Sequence, residues 1–242
     1  MNTTAQQLYD VCDATWPPAK IQQLGPWTLR VGKGGGKRVS AATANSAVKD
    51  DDIGQAETAM QGMGQTALFM VREGDDALDK LLEDRGYAIV DPVVMYSIPV
   101  DKLTQIEIPH VTTFCIWEPL AIMLEIWAKG GIGLARLDVM ARATQKIGIL
   151  SRWNEQPAGT AFAAISDGVC MVHAVEILEH QRRQGVGVWM MRQAAYWAQK
   201  HEAKELAVLC TTANIGANGL YKSLGFSVKA HYHYRQMQKE FV

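Results

Sequence analysis

The chain has 242 residues, of which 48% are hydrophobic and 20% charged, with 24 Lys and Arg against 25 Asp and Glu. That length suits two small domains, the apolar share supports a packed core in each, and near-zero net charge excludes a protein that tracks nucleic-acid phosphates or an anionic membrane surface. Cys12, Cys115, Cys170 and Cys210 lie far apart with no C-x-x-C pair, so no metal site or disulfide framework is expected.

The first residues lack a basic segment followed by an apolar one, and no run reaches the roughly 18 apolar residues of a membrane helix, so a cytoplasmic protein is expected. In chain order, Leu8 to Trp16 has the pattern of an amphipathic helix stopped by Pro17 and Pro18. Trp27 to Val31 and Arg38 to Thr43 then form an expected strand pair around the glycine-rich loop from Gly32 to Lys37. A phosphate-binding P-loop fails there, because its first glycine would fall on Val31 and its metal-binding hydroxyl on Arg38. A helix over Ile53 to Met63, a strand over Thr66 to Val71, a helix over Asp76 to Asp84 and a strand over Val93 to Ile98 follow. Pro99 to Pro109 is the expected linker.

Beyond it come a strand near Val111 to Ile116 and helices over Pro119 to Lys129 and Leu134 to Ala143, separated by a glycine break. Three strands then make a meander: Lys146 to Trp153, Gly159 to Ile165 and Val169 to Ile177. A helix from Val188 to His201, a strand from Glu205 to Thr211, a short helix from Gly216 to Leu224 and strand material from Ser227 to Met237 close the chain. The order implies an α+β fold with mixed strand directions.

Two stretches carry chemistry. Arg182-Arg183-Gln184-Gly185-Val186-Gly187 spells R-x-x-G-x-G where a strand gives way to a helix. Unpaired amides, the helix dipole and the small glycines suit such a junction to an anion. Further on, Asn214, Ala217, Leu220, Tyr221, Leu224, Gly225 and Phe226 spell N-x-x-A-x-x-L-Y-x-x-L-G-F.

With these two motifs together, the sequence resembles the GNAT superfamily of acyl-CoA-dependent N-acyltransferases over roughly Val111 to Arg235. The resemblance implies a central mixed, mostly antiparallel sheet flanked by helices, and acetyl-CoA as cosubstrate. It implies that Arg182, Arg183, Gln184, Gly185, Val186, Gly187 and Val188 hold the pyrophosphate, and that the main chain of Val175, Glu176 and Ile177 pairs with the pantetheine. Asn214, Ala217 and Tyr221 would lie along the pantetheine and thioester, with Tyr221 as general acid. The acceptor would be the amine of a small molecule or peptide. The general base stays open between His173 and Glu176, which strand alternation places on opposite faces unless a bulge intervenes. A non-catalytic acetyl-CoA sensor is the alternative, and a homodimer is left open.

Leu81 to Tyr87 aligns with Leu220 to Phe226, bringing a helix-ending glycine and the next aromatic into register. Residues 1–103 are therefore expected to be a degenerate GNAT-like half, with Leu82 in place of Tyr221, and residues 104–242 the catalytic half.

Overall fold

A computed structural model describes residues 3–238 of the chain. Helix α1, Ala5–Thr15, begins where the Thr4 hydroxyl accepts from the Gln7 amide, and it stops short of Pro17 and Pro18. Strand β1, Lys20–Leu24, pairs antiparallel with β2, Trp27–Val31, about Gly25 and Pro26. The expected partner of β2, Arg38 to Thr43, instead makes a 3-10 turn at Lys37–Val39, and only β3, Thr43–Ala44, joins β2. Strand β1 carried no alternating signal because four of its five residues are exposed.

Helix α2 spans Asp50–Gly62, β4 Leu68–Arg72, α3 Asp76–Asp84 and β5 Tyr87–Pro99. Strand β5 starts six residues before the expected Val93, running through Asp91, at φ 45°, and Pro92. In place of an open linker, a 3-10 turn at Val100–Lys102 follows, with Val100 and Leu103 buried. The Leu103 carbonyl accepts from Arg192 Nη1 at 2.8 Å. Then come β6 Thr113–Ile116, α4 Ala121–Lys129, α5 Leu134–Arg142, β7 Gln145–Trp153, β8 Gln156–Ser166 and β9 Val169–Ile177. Helix α6 Val186–Lys200, β10 Glu205–Thr211, α7 Ile215–Ser223 and β11 Ser227–Met237 complete the order.

Two compact units result, neither of them a continuous stretch. The larger takes the chain up to Pro17, Met95–Cys210 and Asn214–Lys229; the smaller takes Pro18–Val94, Thr211–Ala213 and the chain from Ala230. In the larger unit the strand order is β5, β10, β9, β8, β7, β6, with β9 and β10 parallel and β6 to β9 antiparallel. This is the mixed, mostly antiparallel sheet of an α+β fold. Met190 of α6 reaches the face of Gly159, while Met123 of α4 and Trp16, just after α1, cover the opposite face beside Gly148 and Phe162. In the smaller unit β11 pairs with β4 through Tyr232 to Gln236, and Trp27, Leu29, Ile53, Phe69, Leu82 and Tyr87 share one apolar core. Compactness thus follows strand pairing rather than sequence order. Among the described residues no helix is long and apolar enough to cross a membrane.

Candidate active site

Strands β9 and β10 pair only through Val169–Val172 and Glu205–Val208, although both continue. Between Thr160 and Phe162 of β8, two steps along one strand match three along β9, from His173 to Glu176. The extra residue is a bulge with Ala174 in the left-handed region at φ 50°. Trp127 Nε1 of α4 donates to the Ala174 carbonyl at 2.8 Å and fixes it. The last turn of β9 keeps its partners on β8, Gly159 with Ile177 and Thr160 with Glu176, and on its other side has left β10. That leaves an edge along Val175, Glu176 and Ile177 where an extended ligand can pair as a strand would.

The bulge also changes which side chains share a face. Simple alternation puts His173 and Glu176 on opposite faces, whereas the extra residue turns both the same way, opposite Phe162 and Thr160. They nevertheless have different surroundings. His173 is buried between Trp16, 5.1 Å away, and Phe162, 6.2 Å away. Thr15 Oγ1 donates to the Val11 carbonyl at 2.6 Å, so it accepts from His173 Nε2 at 2.8 Å. Glu176 is half-buried with its carboxyl against Gly130: a Cβ at that glycine would lie 2.3 Å from Glu176 Cδ. Burial pushes the Glu176 carboxyl up, and the nearby Arg182 and Arg136 charges oppose that rise.

Past β9, the chain turns through Glu179–Gln181 and enters α6 at Val186, two residues earlier than the periodicity predicts. Gly185 at the N-cap has φ 79° and Arg183 has φ 63°, so two left-handed residues flank Gln184 and curl the main chain. No side chain caps this helix, and among the described residues the amides of 183–187 have no hydrogen-bond partner. Together they form a concave set of donors at the positive end of a helix. Gly187 serves packing: a Cβ there would stand 2.8 Å from Leu220 Cδ2 and 3.3 Å from Ile177 Cδ1. The end of β9, the start of α6 and the body of α7 therefore meet at one glycine. Arg182 Nε also donates to the Ile177 carbonyl at 3.2 Å.

Asn214 is the N-cap of α7, its Oδ1 accepting from the Ala217 amide at 3.0 Å. About two turns later Tyr221 is 4% exposed, its ring 5.8 Å from Tyr96 and 5.6 Å from Phe226. Burial, then the neighbouring Cys210 and Tyr96, hold its phenol protonated well above the usual range. Cys210 is pushed up to about 11 by the same burial.

Of the residues expected at the site, Glu176, Ile177, Arg182, Gly187 and the helix of Asn214 and Tyr221 come together through these contacts. His173 stands apart from them, in the aromatic cluster under α1. Tyr96 and Cys210 beside Tyr221 were not foreseen, since each lies in an apolar strand run with no motif to mark it. Among the described residues no three His, Cys, Asp or Glu side chains are placed to hold a metal.

The match to known proteins falls on this region. Residues 123–226 match the model of the acetyltransferase (GNAT) family. An uncharacterized N-acetyltransferase, YobR of Bacillus subtilis strain 168, is 22% identical over 232 residues, covering 92% of this chain and 94% of its own length. The solved structure of a GCN5-related N-acetyltransferase from Kribbella flavida is similar with a TM-score of 0.69 at 20% identity, covering 98% of this chain and 97% of that one. A tandem GNAT protein from the clavulanic acid biosynthesis pathway gives a TM-score of 0.60 at 10% identity, over 81% of this chain and 74% of that one. At such identities the likeness shows the fold.

Proposed function

We propose that this chain, whose residues 123–226 match the acetyltransferase (GNAT) family, is an acyl-CoA-dependent acetyltransferase with the following division of labour at its site. The amides of 183–187, with Arg182 and Val188 at either end, hold the diphosphate of acetyl-CoA. The free edge of β9 at Val175, Glu176 and Ile177 pairs with the pantetheine, and Asn214, Ala217 and Tyr221 lie along the thioester end. The observation that carries this reading is the convergence at Gly187: the open strand edge, the uncapped helix and α7 touch one another there.

Acetyl-CoA supplies an acyl group activated as a thioester. The chain's own groups orient it and manage two protons. An acceptor ammonium near pKa 10 must lose a proton before its nitrogen attacks. Glu176 is the base, because desolvation has raised its affinity for a proton while leaving it half-exposed to an incoming amine. His173 is a structural residue, since its Nε2 proton is engaged by Thr15. Tyr221 keeps its own proton until sulfur departs. A phenol above its usual value is a weak acid, but a thiolate formed in the same dry surroundings is a strong base, as the rise at Cys210 illustrates. The acceptor is a primary amine of a small molecule or peptide.

The first half, read as a degenerate copy without cofactor binding, fits the likeness to a tandem GNAT protein and the buried Leu82 at the place of Tyr221. The test is thiol release from acetyl-CoA across an amine panel by the wild type and by Tyr221→Phe. Turnover with at least one amine, lost in the variant while the cofactor still stabilises it against heat, is expected. Thermal stabilisation with no thiol released on any amine, the same in both proteins, would replace the enzyme with a sensor.

A further inference from the structure

Strand β5 carries Tyr96 to the back of helix α7. Tyr96 is 2% exposed, and its hydroxyl donates to Asn218 Oδ1 at 2.6 Å. Buried tyrosines normally find such a partner, so the bond by itself says little. Its target says more. Asn218 Nδ2 donates to the Asn214 carbonyl at 2.8 Å and the Asn218 amide reaches the same carbonyl at 3.0 Å. The Asn214 side chain in turn caps the Ala217 amide. The Tyr96 hydroxyl is thus the outermost link of a chain that locks the first turn of α7, the turn that presents Asn214.

The same tyrosine reaches the acid directly. Tyr221 follows Asn218 by three positions, on the same side of the helix, and its ring lies between Tyr96 at 5.8 Å and Phe226 at 5.6 Å. The strand carrying Tyr96 is fastened at this point: Ser227 Oγ donates to the Ser97 carbonyl at 3.2 Å, and Ile98 Cδ1 would be 3.7 Å from a Cβ on Gly225. Both restraints on Tyr221, a neighbouring ring and a locked first turn, therefore converge on one side chain. That side chain lies outside the matched segment 123–226.

From this geometry we infer that Tyr96 is a positioning residue for acyl transfer, holding Tyr221 and the first turn of α7 through its hydroxyl bond to Asn218 and its ring. The inference rests on the proposed role of Tyr221. It gives the first half of the sequence a part in the chemistry even though that half has no cofactor loop: it supplies the strand that sets the acid.

Tyr96→Phe in the full chain removes the hydroxyl and keeps the ring. With the best amine, kcat is expected to fall about tenfold while KM for acetyl-CoA and for the amine stay within about twofold, the pattern of a group needed only in the transition state. Amide exchange at Ala217 to Tyr221 should quicken about tenfold with the rest of the chain unchanged. Asn218→Ala removes the same bond from the other side and should reproduce both effects, and in that background Tyr96→Phe should add nothing. An unchanged kcat, unchanged exchange in α7, or a full further loss in the double variant would overturn the inference. Should wild type transfer acetyl to no amine, the proposed function falls, and the exchange measurement alone decides whether Tyr96 locks α7.

Discussion

Helices α3 and α7 end in the same way and do different things. In α3 the Arg85 amide bonds the Leu81 carbonyl and Gly86, at φ 85°, bonds that of Glu83; in α7 Leu224 bonds Leu220 and Gly225, at φ 87°, bonds Lys222. Each glycine is followed by a buried aromatic, Tyr87 or Phe226, and then by a long strand. The residue five places before that aromatic separates them. Leu82 is wholly buried in an apolar core, whereas Tyr221 puts a phenol beside Tyr96 and Cys210. One backbone device thus serves an apolar core in one place and, in the proposed mechanism, proton chemistry in the other, and the difference lies in a single side chain and what surrounds it.

Tyr221→Phe should break that comparison hardest. It is expected to lower kcat by about 10²–10³ with little change in fold, in the range for loss of a general acid. Leu82→Ala should do the reverse, removing roughly 2–5 kcal/mol of stability by leaving a cavity and lowering the thermal midpoint without a specific loss of turnover. Thiol release and thermal melts on both proteins give the answer.

Glu176→Gln should come next, with about 10²-fold slower transfer. Because the folded carboxyl is raised above its ordinary value, wild-type rate should fall as pH drops through that raised value, and the glutamine variant should lose this acid limb. The sign for stability is opposite. A raised carboxylate disfavours the folded state once it is ionised, so at neutral pH the variant should be no less stable than wild type.

Gly187→Val drives a branched side chain against Leu220 and Ile177 and should weaken acetyl-CoA binding by about tenfold or more. Gly86→Ala meets open space and should cost only the left-handed strain, about 1–2 kcal/mol, with binding intact. Titration calorimetry on the two variants sharpens the contrast between a glycine kept for a close approach and one kept for a turn.

The smallest effect on turnover is expected at Asp79, which accepts from Arg235 Nε and His233 Nε2, each at 2.7 Å. The bond from Arg235 comes first among the causes that hold its carboxyl below the usual range, and burial works against it. Its stabilisation is present above the unfolded carboxylate pKa and vanishes as pH falls through the lower folded value. Asp79→Asn should therefore cost about 1–2 kcal/mol at neutral pH and nothing in strong acid, with turnover unaffected; melts across pH would show it.

Much of the backbone geometry of the candidate site is legible in the sequence because glycine and the N-cap residues have narrow physical uses. Gly185 is needed for a left-handed N-cap, Gly187 for a close contact, and Asn214 for a cap. What escaped depends on context instead. Alanine has no preference for the left-handed region, so nothing at Ala174 announces the bulge that turns Glu176 to the face of His173; the Trp127 bond holding it is made by a residue from another element. The surroundings of His173 depend on context in the same way, since Thr15 and Trp16 come from the far end of the chain. Lys20–Leu24 was missed because an exposed edge strand shows no apolar alternation.

In the proposed function, cofactor binding depends on the curl of amides ahead of α6. Calorimetric titration of the folded protein with coenzyme A, repeated on Gly185→Val, tests it most directly. Saturable binding by wild type that weakens at least tenfold in the variant is the predicted result. Absence of binding by wild type, or equal binding by both, would contradict it.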